Sequence, residues 1–230
     1  MSTGRWREQD TKRLVLASQS PRRLVLLQQL GFDPVVAPTA LPEVKGAHES
    51  PGSYVRRLAR EKAMMASMDW EALCEARAAA QLPAAAPLIL AADTTVVLDG
   101  EVMEKPADAA DALRMLELLS GKTHEVLTGI ALVDLRADGH ATWGVMERLV
   151  TTLVEFGAVD AEDIRRYVAT GEPMDKAGAY GIQGLAGGWV KRIVGSYPNV
   201  VGLPVYEVIE LLLEAGAIKA FPWPVGGGGA

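Results

Sequence analysis

Hydrophobic and polar positions alternate along this chain so as to mark helices and strands in turn. Residues 14–17 form a short apolar strand that Ser18-Gln19-Ser20 breaks. Pro21 suits a first helical turn, and residues 22–30 carry that helix to Gly31 as its C-cap. Residues 32–50 have no clear period and read as loop or irregular strand. Ser50 or Ser53 then caps a helix to about Met68, whose apolar stripe of Val55, Leu58, Ala59 and Ala66 also holds Lys62. The alanine-rich stretch 69–87 reads as helix extension and loop.

An apolar strand leads from Leu88 to Leu98, and Asp99-Gly100 supplies a two-residue hairpin turn. That turn sets Leu98 opposite Glu101, Val97 opposite Val102 and Thr94 opposite Lys105. Asp108 or Ala109 begins an amphipathic helix that runs to Leu119 and ends at Gly121. Residues 126–135 and 141–156 read as two long strands joined at Asp138-Gly139. Asp160 caps a helix through Val168, and Pro204 opens a last amphipathic helix to about Ala215. Between these helices, residues 177–202 are rich in glycine around a strand holding Trp189-Val190 and Ile193-Val194. Helices alternating with hairpin strands predict an α/β fold with a mixed sheet. The expected layout is one domain over residues 11–218, with flexible tails at 1–10 and 219–230.

Composition narrows the functional classes. A formal charge of −6 argues against a broad nucleic-acid-binding face, so an anion site must be a local basic cluster. Cys74 is the only cysteine, which excludes an internal disulfide and a cysteine-built zinc cluster. His48, His124 and His140 are scattered without metal-ligand spacing. No apolar run approaches the ~20 residues of a membrane span, and residues 1–10 are too polar for a signal peptide, so the expected location is the cytoplasm.

Four places carry candidate chemistry. Asp93 lies inside an apolar strand, where a carboxylate needs a partner, a metal or a proton; Lys105 is one candidate partner. The turn at Ser18 and Ser20 before a helix N-terminus is suited to an anion, and Arg22 and Arg23 add forks that match phosphate. Lys62 either snorkels from its apolar stripe or aims into a cleft. Gln183, beside Gly184, offers an amide where something can approach the backbone.

Together these residues resemble the Maf family. The opening block is Ser18-Gln19-Ser20-Pro21-Arg22-Arg23, and the second is Tyr54-Val55-Arg56-Arg57-Leu58-Ala59-Arg60-Glu61-Lys62-Ala63. Then follow Ala92-Asp93-Thr94, Glu104-Lys105-Pro106 and Leu119-Ser120-Gly121-Lys122-Thr123-His124. The closing blocks are Glu172-Pro173, the run 175–184, Gly195-Ser196-Tyr197 and Val201-Gly202-Leu203-Pro204. The resemblance spans about residues 14–215 in the family's order.

The resemblance implies an elongated, two-lobed fold like that of the inosine triphosphatases, with a nucleotide cleft. It implies a nucleoside triphosphate pyrophosphatase that cleaves between the α and β phosphates. It further implies a divalent cation (Mg²⁺ or Mn²⁺), a homodimer, and a link to arrest of septum formation. By the same resemblance Asp93 is the expected proton acceptor, with Glu43, Lys62 and Lys105 as further catalytic residues, and Asp93 and Glu43 as metal ligands. Ser18, Ser20, Arg22, Arg23, Thr94 and Gln183 are expected to bind substrate. Arg22, Thr94 and Gln183 match the branch acting on dTTP and UTP rather than on 7-methyl-GTP. Two departures stand out: Pro42-Glu43 replaces the commoner pair of acids, and the 69–87 stretch is longer than usual and expected on the surface. A nucleotide-binding regulator of cell division with incidental turnover is the alternative of a different class.

Overall fold

Among the residues described by the structure, a computed structural model covering 13–79, 87–135 and 141–221, seven strands form one mixed sheet. They are β1 (Arg13–Leu16), β2 (Val35–Val36), β3 (Pro87–Leu98), β4 (Glu101–Met103), β5 (Thr123–Leu135), β6 (Ala141–Phe156) and β7 (Val190–Val194). The order is β2-β1-β3-β5-β6-β7, with β4 attached to β3. β1 runs parallel to both β2 and β3, and the other pairs are antiparallel. The mixed α/β sheet expected from the alternation of elements is the one observed.

β3 is buried along its whole length except at Thr94, which is half-buried. A strand covered on both faces reads as a continuous apolar run rather than an alternating one. The covers are helices. On one face lies α2 (Pro51–Ala79), started by Ser50, whose Oγ accepts from the Ser53 N–H at 3.2 Å. Its small residues Ala59, Ala63 and Ala66 pack against Ala91 and Ala131, so the helix sits close to the sheet. The closest point is Gly129 on β5, where a Cβ would stand 2.5 Å from the Val55 carbonyl oxygen.

The opposite face carries α1 (Pro21–Gln29) and α6 (Val205–Glu214), which close over Leu16, Leu90, Ile130 and Leu132. Truncating a fully buried leucine such as Leu90 to alanine is expected to cost about 3 kcal/mol. Further along, α3 (Ala109–Leu119) and α4 (Ala161–Ala169) pack with Val96, Val126, Val154 and Phe156. Their starts follow the sequence: Asp108 accepts from the Asp111 N–H at 2.8 Å, and Asp160 accepts from the Glu162 N–H at 2.7 Å. The short helix α5 (Tyr197–Val201) and 3₁₀ turns at Glu172–Asp175, Ala177–Ala179 and Leu185–Trp189 complete the chain.

The structure departs from the sequence reading in several places. The β3–β4 hairpin keeps the expected pairs Leu98↔Glu101 and Val97↔Val102 but ends at Val96↔Met103. Thr94 therefore has no ladder partner on the β4 side, where the chain leaves the ladder at Glu104 ahead of Pro106, and it pairs with Thr128 on β5. Trp189 closes a 3₁₀ turn rather than lying in β7. α2 continues to Ala79, and β5 begins at Thr123. The tail at 1–10, the stretch 80–86, the Asp138-Gly139 turn and the glycine-rich end at 222–230 lie outside the described residues.

Candidate active site

A cavity of about 810 Å³ lies between the C-terminal end of β1, the middle of β3 at Asp93 and Thr94, and the N-terminus of α1. Ser18, Ser20, Arg22, Arg23, Glu43, Lys62, Asp93, Thr94, Lys105 and Gln183 all line it. Residues singled out across 165 positions of sequence (183 minus 18) thus converge on one space.

At its floor, Lys62 donates to Asp93 Oδ1 at 2.5 Å and to Glu43 Oε1 at 2.5 Å. Lys62 is two helical turns beyond Val55, where α2 meets Gly129, and Gly129 is the ladder partner of Asp93. The close approach of helix and sheet at Gly129 is what brings the ammonium over the carboxylate. Asp93's partner is therefore Lys62, not Lys105; the hairpin that would have presented Lys105 ends too early. Lys62 and Asp93 are 8% and 6% exposed, which settles the choice between a snorkelling lysine and one aimed into the cleft.

Burial holds the Asp93 carboxyl above the ordinary range, against the pull of Lys62 and Arg23. Burial also acts to raise Glu43, but the hydrogen bond and charge of Lys62, with Lys105 and Arg23, keep it below the usual value. Glu104, which reaches toward the Thr95 hydroxyl at 3.5 Å, is pushed up to about 7 by burial and by the charges of Asp93 and Glu43. Lys105 is exposed at the cavity wall.

Arg23 ties the roof together. Its Nε donates to the Gly202 carbonyl at 2.7 Å, Nη1 to Ser18 Oγ at 3.1 Å and Nη2 to Thr94 Oγ1 at 3.1 Å. Ser18 Oγ also accepts from the Ser20 N–H at 3.1 Å, which shapes the turn entering α1. The Thr94 and Thr128 hydroxyls meet at 2.9 Å across the β3–β5 ladder. Arg22, at the mouth, pairs with Asp175 at 3.1 Å. Gln183 is exposed and lines the cavity from the segment between two 3₁₀ turns.

The cavity also holds residues that sequence reasoning quoted only inside motif blocks: Glu104, Glu172, Asp175 and Lys176. Lys176 donates to the Glu172 carbonyl at 2.5 Å and to Asp175 Oδ1 at 2.5 Å. The sequence signal available for Glu104 was its place directly before Lys105 at the end of an apolar hairpin.

Among the described residues, no group of three or more His, Cys, Asp or Glu is arranged to hold a metal ion. Glu43 and Asp93 each turn one oxygen to Lys62, which leaves the second oxygen of each carboxylate. An all-oxygen donor pair suits a hard divalent cation that takes its remaining ligands from phosphate and water.

The family model for Maf-like proteins matches residues 13–215, which takes in every cavity residue named above. The chain belongs to the Maf family. Within the Maf family, the dTTP/UTP pyrophosphatase of Salmonella typhimurium is 48% identical over 206 residues, covering 90% of this chain and 94% of that protein. That of Escherichia coli O157:H7 is 49% identical over 208 residues, with the same coverage of 90% and 94%. That of Anaeromyxobacter sp. is 47% identical over 218 residues, covering 95% and 96%. Among solved structures, a nucleoside-triphosphatase (dITP/XTP pyrophosphatase) from Mycobacterium abscessus aligns at TM-score 0.34 and 15% identity, over 64% of this chain and 75% of that one.

Proposed function

We propose that this chain is a pyrophosphatase that hydrolyses dTTP and UTP to the nucleoside monophosphate and pyrophosphate. The observation that carries the reading is one cavity that holds a buried Lys62–Asp93 pair, with Glu43 on the same ammonium from the more exposed side, and Gln183 in the same lining. A space of about 810 Å³ is of the size a nucleotide needs.

The triphosphate meets the Ser18 to Arg22 turn and the α1 N-terminus, with Lys62 and Lys105 supplying positive charge along the cavity wall. Asp93 takes a proton from a water directed at the α phosphorus; the new P–O bond forms as the α–β bridging bond breaks and pyrophosphate leaves. A carboxyl raised by burial suits that work, because a base needs a pKa near the operating pH. Glu43 and Asp93 would hold Mg²⁺ or Mn²⁺, which when bound neutralises phosphate charge and makes water easier to deprotonate. Gln183 presents both a donor and an acceptor, which matches the edge of uracil or thymine. A homodimer acting in the cytoplasm completes the proposal, as the resemblance to the family implies.

The test uses purified protein with Mg²⁺ or Mn²⁺ and a panel of nucleoside triphosphates, with pyrophosphate and orthophosphate assayed separately. Pyrophosphate from dTTP and UTP, abolished by chelation and by Asp93→Asn, is the expected result. Release from 7-methyl-GTP alone would overturn the substrate and keep the chemistry. Intact nucleotide binding with no release from any substrate would replace the enzyme by a nucleotide-binding regulator of division.

A further inference from the structure

The segment carrying Gln183 has no strand or long helix of its own, yet its path is fixed from beneath. The Tyr167 hydroxyl, on α4, accepts from the Gly181 N–H at 3.3 Å and donates to Glu172 Oε1 at 3.1 Å. The other oxygen of Glu172 accepts from the Leu185 N–H at 3.2 Å. Gly181 and Leu185 bracket Gln183 by two residues on each side, and a turn closed by Gly184 N–H to Gly181 C=O at 3.0 Å lies between them. One phenol and one carboxylate therefore hold both ends of the turn.

Both supports are themselves immobilised. Tyr167 is buried and packs edge-on against Trp189, with ring centroids 4.9 Å apart. The Glu172 carbonyl accepts from Lys176 at 2.5 Å. Gly184 is the fitted piece: a Cβ there would lie 2.0 Å from Glu172 Oε1, so only glycine admits the carboxylate under the turn. Its φ of −103° is open to any residue, so space rather than backbone conformation demands glycine.

We propose that Tyr167 and Glu172 are positioning residues for base selection, fixing the 181–185 turn so that Gln183 meets the nucleobase in one orientation. Tyr167 lies outside the cavity lining, and Glu172, at its edge, commits one carboxylate oxygen to the Tyr167 hydroxyl and the other to the Leu185 N–H, so both act through Gln183. The inference rests on the reading that Gln183 faces the base, and it assigns the discrimination to a rigid turn rather than to the amide alone. An amide on a loose turn can rotate its donor and acceptor to suit a wrong base, whereas a fixed one leaves a buried group unpaired.

Three variants attack the support by different routes: Tyr167→Phe, Glu172→Ala and Gly184→Ala, the last evicting the carboxylate without altering either partner. The readouts are kcat/KM for UTP against GTP, and hydrogen exchange at the Gly181 and Leu185 amides. Each variant is expected to lower the UTP preference roughly five- to tenfold, the scale of one lost hydrogen bond, and to speed exchange at both amides. In a Gln183→Ala background none should lower the preference further, an outcome that a merely structural role would not produce. Glu172→Gln keeps one acceptor and should recover part of the preference. If Gln183→Ala erodes the preference while all three support variants keep it, the proposal is overturned. If Gln183→Ala leaves the preference intact, the base reading of Gln183 has failed, and the positioning role falls with it. Unchanged exchange at both amides in all three variants would overturn the rigid-turn account whatever the kinetics.

Discussion

Gly129 stands directly across the β3–β5 ladder from Asp93, and the backbone of α2 passes over it at Val55. The missing side chain on one strand thus sets the height of the helix that delivers Lys62 to the carboxylate on the next. Gly129→Ala places a methyl 2.5 Å from the Val55 carbonyl and 2.8 Å from the Arg56 nitrogen, both backbone atoms that cannot swing aside. It is expected to destabilise the fold by about 2–3 kcal/mol and to lower turnover by displacing Lys62. Urea denaturation together with steady-state rates checks this; wild-type stability would mean that the helix can ride higher than its packing allows.

Lys62→Met should be worse for stability than Asp93→Asn. The first leaves a buried carboxylate facing another carboxylate, while the second leaves the lysine still paired with Glu43. Breaking a buried pair from the cationic side is expected to cost about 3 kcal/mol. Adding Asp93→Asn to Lys62→Met should restore part of that loss. A simple sum of the two single effects would show that the pair is not coupled.

Arg23→Lys preserves charge but not shape. The guanidinium reaches Gly202, Ser18 and Thr94 from three separate nitrogens, and the single nitrogen of an ammonium cannot span them. Losing two of these bonds is expected to lower kcat/KM by roughly 30-fold or more. Kinetics within threefold of wild type would remove Arg23 from the architecture of the site.

His124 gives the fold a pH dependence distinct from that of the cavity. Burial holds its imidazole down to about 4, with Nε2 at 2.8 Å from the Tyr180 hydroxyl and Nδ1 without a partner. In the unfolded chain the ring protonates near about 6.5. As pH falls from there toward 4, the unfolded state binds the proton first, so stability is lost across that window and not above it. The full loss from this group is about 3 kcal/mol. Unfolding free energies measured between pH 7.5 and pH 4.5 should fall less steeply in His124→Gln; parallel curves would show that the acid sensitivity comes from elsewhere.

Much of this architecture was legible from periodicity alone. The stripe through Val55, Leu58, Ala59 and Ala66 is buried as its spacing required, and Asp108 and Asp160 cap the helices they precede. What periodicity could not supply was the pairing of charges across elements. Asp93 lies 31 residues from Lys62 and 12 from Lys105, and nothing local says which cation the fold brings over it. The answer depends on the clearance at Gly129 and on a hairpin that stops one pair after Val97↔Val102. The role of residues 172–185 was hidden for another reason: short 3₁₀ turns carry no repeating apolar pattern, so Glu172 and Tyr167 meet through tertiary geometry that no window of sequence displays.

The bond from Arg23 to Gly202 joins positions 179 residues apart. Until the region near residue 202 is in place, the roof has no anchor for Arg23, and Thr94 and Ser18 lose the fork that joins them. During synthesis the first strands can pair and α2 can cover them, but the pocket closes only after nearly all of the matched segment has left the ribosome. A nascent or clipped chain lacking the region from Gly202 onward lacks both the anchor of Arg23 and the α6 residues that cover Leu16 and Leu90, so the site is assembled last.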